Sequence, residues 1–279
     1  MRTVTEFSVV VPTLNSSRTL DRCLRAIAAQ TYPPLEVLVV DGGSSDETAA
    51  LARQRGARVF VGPWSMSSAR NIGLEAVEGE WLLNCDSDME LGQNVLEQCR
   101  GQILSGRTAV LIPEVALGEN FWERSLAFGR NLTIPLQESG LAGVPRCYRT
   151  RDIRQVGGWN PKLTWGEDID LYARLRPTLS VGRTQDVVRH HESVPSLSRL
   201  YTLWRSEKKW GSYPRFAQQH PLEARDSFFR EHVRPVASSR GLRTIARHPV
   251  LFAGSVVLRG VKAIAAISPM PSPPRAARL

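Results

Sequence analysis

Residues 67–89 read SSARNIGLEAVEGEWLLNCDSDM. Residues 67–77 suit a helix entered through serines, and residues 81–85 suit a short, largely apolar strand. That strand runs out into Asn84, Cys85, Asp86, Ser87 and Asp88, so two carboxylates stand at i and i+2 where an apolar strand becomes a loop. Carboxylates spaced this way can turn toward one ligand. A hard divalent cation such as Mg²⁺ or Mn²⁺ takes oxygen ligands and keeps several waters, so one or two carboxylates and a diphosphate suffice. Taken alone, the pair reads as a solvated turn or a helix cap. Its place at the end of a strand is what singles it out.

The same alternation extends in both directions. Apolar strands are predicted at 7–11, 36–41, 58–61 and 109–113, and helices at 19–29, 46–55 and 94–104. Short apolar strands alternating with helices imply a mostly parallel sheet covered on both faces. Ligands of such sheets bind beyond the carboxyl ends of the strands, which directs attention to the residues just after Val11, Val40 and Asn84. Asp41 heads one of these ends, followed by Gly42 and Gly43, which permit a tight turn and close approach of a ligand to the backbone. Asp46, farther along, reads as a helix N-cap, whereas Asp41 has no such structural task. Residues 114–154 carry mixed signals. A second acidic element, GEDIDL at 166–171, opens a predicted helix.

Five pieces in order resemble the family 2 glycosyltransferases: VVVPTLN at 9–15, VLVVDGGSSDET at 37–48, the stretch 67–89, GGW at 157–159 and GEDIDL. Five ordered motifs are far more specific than any one of them. The resemblance implies the GT-A fold, an α/β architecture with a Rossmann-like, mostly parallel sheet and helices on both faces. It also implies a hexosyl transfer that inverts the anomeric centre, from a UDP- or GDP-sugar to a hydroxyl, with Mn²⁺ or Mg²⁺ as cofactor.

By the same resemblance Pro12, Thr13, Asn15 and Asp41 would line the nucleoside pocket, with Arg70 beside the base and diphosphate. Asp86 would contact the ribose or the metal, and Asp88 would bind the metal directly. Asp168, with Glu167 beside it, would be the catalytic base facing the acceptor. One histidine after the acidic element would complete the metal site. Its spacing to Ser196 and Leu197 favours His191 over His190, the alternative being a packed histidine. Two positions depart from the pattern. Leu14 stands where many relatives carry an aromatic residue, and Cys85 where they often carry a bulky apolar one.

Composition bounds the surroundings. An apolar fraction of 42% in 279 residues allows a sizeable core. Cys23, Cys85, Cys99 and Cys147 form no C-x-x-C pair, which argues against a zinc site and fits a reducing compartment. The first apolar run is cut off by Pro12 and is too short for an export signal. Charge is lopsided: 22 Lys and Arg face 23 Asp and Glu over residues 1–200, but 14 face 4 over residues 201–279. The basic part suggests an anionic partner surface.

Within that part, residues 249–267 are apolar enough to approach a membrane span. Arg259 and Lys262 interrupt the centre, at roughly 2.5–3.5 kcal/mol each. An amphipathic helix lying in the membrane interface is the better solution, with packing on the catalytic domain or a second subunit as the alternative. The chain is therefore expected to comprise a catalytic domain over 1–200, a basic membrane-associating helical extension over 201–267, and a disordered tail over 268–279. The expected place is the cytoplasmic, inner face of the cell membrane, acting on a lipid-linked acceptor in glycan or glycolipid synthesis.

Three other readings compete. A nucleotidyltransferase would use similar metal carboxylates but has no evident task for the EDID element. A nucleic-acid-binding strip would interleave basic and aromatic side chains, as Tyr201, Trp204, Trp210, Tyr213 and Phe216 partly do; no nucleic acid is nonetheless expected. A non-catalytic nucleotide sensor would not need both acidic motifs intact. Lys208, Lys209 and Trp210 read as a solvated basic helix.

Overall fold

A computed structural model describes residues 5–132, 144–163, 166–194, 196–205, 218 and 238–267. Lys208, Lys209, Trp210, Tyr213, Phe216 and the tail 268–279 lie outside the described residues. The chain order begins β1 (Phe7–Thr13), α1 (Leu20–Ala28), β2 (Glu36–Asp41), α2 (Thr48–Gln54), β3 (Arg58–Val61), α3 (Met66–Ala76), β4 (Trp81–Asn84), β5 (Met89–Leu91) and α4 (Val95–Leu104). It continues with β6 (Ala109–Leu111), β7 (Glu114–Leu117), α5 (Phe121–Asn131), β8 (Cys147–Arg149), α6 (Thr150–Gln155) and α7 (Glu167–Leu175). After β9 (Val181–Arg183) and β10 (Val188–His191) come α8 (Leu197–Arg205), α9 (Ser239–Arg247) and α10 (Pro249–Ile267).

Among the described residues, the central sheet runs β3-β2-β1-β4-β8-β6-β9. Its first four strands are mutually parallel, and β8 is antiparallel to both β4 and β6. The α/β class and the mostly parallel sheet expected from the alternation are therefore present. Period-2 alternation explains how one apolar strand serves two cores. In β1, Phe7, Val9 and Val11 join the core under α1 and α4, while Val10 joins the opposite core under α3. Trp81 and Leu83 of β4 divide from Leu82 in the same way. All four cysteines are buried free thiols.

The described residues of the mixed stretch 114–154 form β7, α5, β8 and α6. A second, smaller sheet, β5-β10-β7, hangs below the carboxyl ends of the main one. It is anchored by the backbone N–H of His191, which donates to the carbonyl of Asp88 at 3.0 Å. This sheet carries the ring of His190 to Asp88 and the ring of His191 to Arg22 and Glu90.

The extension packs on the domain. Leu258 of α10 is buried with Val194 and Leu200, against Trp122, Leu126 and Trp204. The approach to α5 is close because small residues meet there: a Cβ on Gly254 would lie 2.2 Å from Ser125 Oγ, and one on Gly129 would lie 3.2 Å from Ser255 Cβ. The opposite side of α10 leaves Val250, Val256, Val257 and Ile264 exposed. Among the described residues no single helix is long and apolar enough to cross a membrane; only α9 and α10 together meet that length and composition, bent by 105°.

Candidate active site

The site begins where β1 and β2 end side by side, with Thr13 and Asp41 in register. Asp41 is fully buried. Its Oδ1 accepts from the backbone N–H of Ser44 at 3.0 Å and from the Ser44 hydroxyl at 2.5 Å. Its Oδ2 and the hydroxyl of Thr13 are buried with no hydrogen-bond partner. A buried polar atom left unpaired costs about 1–3 kcal/mol, so two beside each other mark a place where a ligand can supply the missing bonds. Pro12 lies in the same strand end, opposite Val40.

Asn15 takes a left-handed backbone conformation, φ 50°, and its side-chain oxygen accepts from the Ser45 backbone at 2.9 Å. It therefore ties the β1 loop to the β2 loop rather than pointing away from them. Gly42 is required by space, since a Cβ there would lie 2.9 Å from the Trp64 carbonyl. The N-cap of α2 is Glu47 rather than Asp46, which stands one residue earlier. Asp46 instead accepts from Thr48 and Ser17, and these bonds, the Thr48 hydroxyl foremost, lower its pKa to about 2.

Helix α3 delivers Arg70. Ser65 caps it, and Gly73 lies so close to β1 that a Cβ would meet Val10 Cγ1 at 2.5 Å. Arg70 is thereby held at 2% exposure beneath the strand ends. Its Nη1 donates to Glu167 Oε1 at 2.5 Å and lies 3.1 Å from Asp168 Oδ1, while Nη2 donates to Asp86 Oδ1 at 2.9 Å. Burial works against the charge on Arg70, but the three carboxylates outweigh it and raise its pKa. Three carboxylates sharing one guanidinium leave negative charge in excess. Burial and the neighbouring Asp168 accordingly push Glu167 upward despite Arg70.

Both acidic residues enter through a turn at Gly166, φ 76°, which starts α7 with Glu167 and Asp168 in its first turn. The GGW element docks beside them. Gly157 and Gly158 both have positive φ, and Asn71 of α3 accepts from the Trp159 backbone N–H at 2.8 Å. The buried indole of Trp159 then donates from Nε1 to Asp168 Oδ1 at 3.0 Å.

Asp86 is held on its other oxygen by Arg146 at 3.5 Å. Burial disfavours its charge, but Arg70 and then Arg146 prevail and lower its pKa. Arg146 also donates to Glu114 Oε2 at 2.8 Å, and Glu114 lies 2.9 Å from His190 Nδ1. The other ring nitrogen of His190 lies 3.2 Å from Asp88 Oδ2. Burial opposes a proton on His190, but its bonds to Asp88 and Glu114 raise its pKa to about 10.

Of the three residues expected at a metal, the structure brings Asp88 to His190 rather than to His191. The ring of His191 is engaged by Arg22 at 2.6 Å and lies 3.2 Å from Glu90. Both oxygens of Asp86 are occupied by arginines. Among the described residues no group of three or more His, Cys, Asp or Glu side chains forms a metal site. A half-exposed carboxylate and an imidazole nitrogen still fit Mn²⁺ or Mg²⁺ as donors, provided a diphosphate and water supply the remaining oxygens.

Glu114, Arg146 and Arg130 are not singled out as site residues by the sequence, and His190 enters there only as the less favoured of two histidines. Glu114 had a signal, an acidic residue directly after the apolar run 109–113, parallel to Asp41 after its own strand. Arg146 had none, because β8 is too short to show a period.

The glycosyl transferase family 2 model matches residues 8–155. A PGL/p-HBAD biosynthesis glycosyltransferase of Mycobacterium bovis is 37% identical over 92 residues, 30% of this chain and 36% of that protein. Glycosyltransferase AglE of Haloferax volcanii is 37% identical over 100 residues, a third of each chain. The matched stretch thus spans about a third of the length of these relatives. Among solved structures, S. aureus TarS 1-349 in complex with UDP-GlcNAc superposes with a TM-score of 0.55 at 19% identity, covering 93% of this chain and 91% of that one. The mannosyltransferase PcManGT from Pyrobaculum calidifontis, in complex with GDP-Man and Mn²⁺, gives 0.54 at 17%, covering 93% and 80%.

Proposed function

The chain belongs to glycosyl transferase family 2, and on that premise we propose that it moves a hexose from a UDP- or GDP-sugar to an acceptor hydroxyl with inversion. The observation that carries this reading is the pair of unpartnered buried oxygens, Thr13 Oγ1 and Asp41 Oδ2, at the carboxyl ends of adjacent parallel strands. Asp41 Oδ2 is suited to accept a hydrogen bond from a nucleobase N–H, and Pro12 and Asn15 shape the loop around it.

In the displacement the acceptor oxygen bonds to the anomeric carbon. Its proton passes to Asp168, and the bond to the diphosphate breaks with its electron pair on the leaving group. Among the described residues, Trp159 and Arg70 both engage Oδ1 of Asp168 and so fix the plane of its carboxylate, leaving Oδ2 for the acceptor. Glu167, beside it, shares Arg70 and sets the local charge. Arg70 and Arg146 place two buried cations around Asp86, on the side where leaving-group charge develops, a preorganised contribution of the kind that dominates many active sites. Asp88 with His190 would hold Mn²⁺ or Mg²⁺, with Asp86 beside them, and the cation would neutralise the leaving diphosphate.

The acceptor is proposed to be lipid-linked, with the protein peripheral on the inner, cytoplasmic face of the cell membrane. Support comes from the exposed apolar residues of α10 and from Arg243 and Arg247 on the adjoining α9. The test is a panel of UDP- and GDP-sugars with Mn²⁺, reading released nucleoside diphosphate, alongside calorimetry with UDP and GDP. Release from one donor is expected. Binding of neither nucleotide together with release from no donor would end the proposal.

A further inference from the structure

We propose that Glu114 is a positioning residue, whose carboxylate fixes the ring of His190 so that Nε2 is presented beside Asp88. The inference rests on the metal reading of Asp88 and His190, and it adds a residue that reading does not contain.

The placement follows from strand register. β7 and β10 are parallel, with Val188 opposite Glu114 and His190 opposite Ala116. Glu114 and His190 are therefore diagonal neighbours on one face of the ribbon. The backbone bond from His191 to Asp88 separately fixes where β10 meets the acidic loop. Strand pairing thus sets the position of His190, but rotation of its ring is left to side-chain contacts. Two groups meet that ring, Asp88 at Nε2 and Glu114 at Nδ1.

Glu114 is itself immobilised. Arg146 and Arg130 both reach its carboxylate, and Arg130 is anchored in turn to Glu192 at 2.7 Å. A carboxylate held by two arginines cannot rotate away, so it selects one orientation of the imidazole. With the Nδ1 proton directed at Glu114, a cation would replace the proton that Nε2 shares with Asp88, the arrangement by which an outer carboxylate orients a ligating histidine. Arg146 bridges Glu114 to Asp86, so the same lattice joins the histidine to the acidic motif.

The experiment is an electron paramagnetic resonance titration of the full chain with Mn²⁺ in the presence of UDP and, separately, GDP, comparing wild type with Glu114→Gln, Glu114→Asp and Asp88→Ala. Glu114→Gln should weaken Mn²⁺ binding about 10–100-fold, with Glu114→Asp, shorter but still charged, falling between it and wild type. The His190 ring ¹⁵N resonances of the Mg²⁺-bound wild type should report a proton on Nδ1, and Glu114→Gln should lose that preference. A merely structural Glu114 would lower unfolding stability yet leave Mn²⁺ affinity and tautomer unchanged in whichever variant folds. That result, with Asp88→Ala abolishing Mn²⁺ binding, would overturn the role of Glu114 alone. Absence of Mn²⁺ binding in wild type, or its survival in Asp88→Ala, would instead overturn the metal reading beneath it.

Discussion

Replacing Arg70 with Met tests whether the buried charge cluster is organised around one guanidinium. Arg70 has 2% exposure and meets Glu167, Asp86 and Asp168 at 2.5, 2.9 and 3.1 Å. Removing one partner of a buried ion pair costs about 3–5 kcal/mol, because the charge left behind is neither solvated nor paired. At about 2–4 °C per kcal/mol for a domain of this size, the midpoint of thermal unfolding should fall by roughly 6–20 °C. The deficit should depend on pH with a definite sign. Glu167 is already raised by burial and by Asp168, and losing Arg70 raises it further. A carboxyl whose pKa is raised on folding contributes stability below its unfolded pKa and loses it as pH rises through the folded one. The gap to wild type should therefore be widest at neutral pH and narrow toward 4.5, the ordinary value for Glu. Arg70→Met combined with Glu167→Gln should recover part of the loss, a coupling measured by a double-mutant cycle. Thermal melts at pH 7.5 and pH 5 decide it. A variant melting within 2 °C of wild type, or a gap that widens on acidification, would refute the reasoning.

Asp41→Asn leaves a donor where Oδ2 should accept, and should weaken UDP or GDP binding about 10–100-fold, one hydrogen bond to a charged group; unchanged calorimetric affinity would remove Asp41 from the pocket. Asp168→Asn should reduce turnover by 10²-fold or more while leaving donor affinity intact, the pattern for a group used in the chemical step. Wild-type turnover with a proper acceptor would exclude it as the base. Asp46→Asn should flatten the acid limb of the stability profile, since a carboxyl lowered from 3.8 to about 2 contributes above its unfolded pKa and loses that contribution as pH falls through the folded one. An unchanged limb between about pH 2 and 4 would show the bonds of Asp46 to Thr48 and Ser17 to be idle. Val256→Asp with Val257→Asp should release the protein from anionic vesicles at unchanged melting temperature, because both side chains are exposed; flotation equal to wild type would remove α10 from the membrane surface.

The parallel half of the sheet was legible because β1, β2 and β4 are largely buried and read as apolar runs, and even the half-exposed edge strand β3 keeps a Val-Phe-Val run. The predicted strand at 36–41 coincides with β2, and that at 58–61 with β3. Where elements shorten, legibility fails. β6, β8 and β9 have three residues each, too few to display a period, and β8 runs antiparallel within a sheet that alternation alone makes parallel. The candidate site divides along the same line. Asp41, Arg70, Asp86 and Glu167 lie in motifs read from local sequence, and the fold brings Arg70 to Asp86, to Asp168 and, across 97 residues, to Glu167. Glu114 and Arg146 escaped because their meaning is their neighbours. Only the pairing of β7 with β10, 76 residues apart at the Glu114–His190 contact, turns an ordinary glutamate into part of the cluster. The same register decides between the adjacent histidines, since a strand sends consecutive side chains to opposite faces.

The last helix shows why composition and packing can both be right. Along residues 249–267, helical spacing sets Ser255, Arg259 and Lys262 on one polar face. The structure turns that face inward: Ser255 is buried at α5, and Lys262 sits 4.2 Å from the centre of the Trp204 ring. Gly129 and Gly254 make the approach close enough for a polar seam to bury. Leu258 and Val261 pack inward beside that seam, and further apolar residues face away from the domain, so the helix is apolar on both sides. A helix that needed only to pack on α5 would carry polar residues at 250, 256, 257 and 264. Instead Val, Val, Val and Ile stand there, all exposed, next to the arginines of α9. Docking on the domain and lying on a membrane are therefore compatible, because they use different faces. They also predict different failures: a bulky residue at Gly254 should lower stability by breaking the seam, whereas a charge at Val256 should spare stability and weaken lipid attachment.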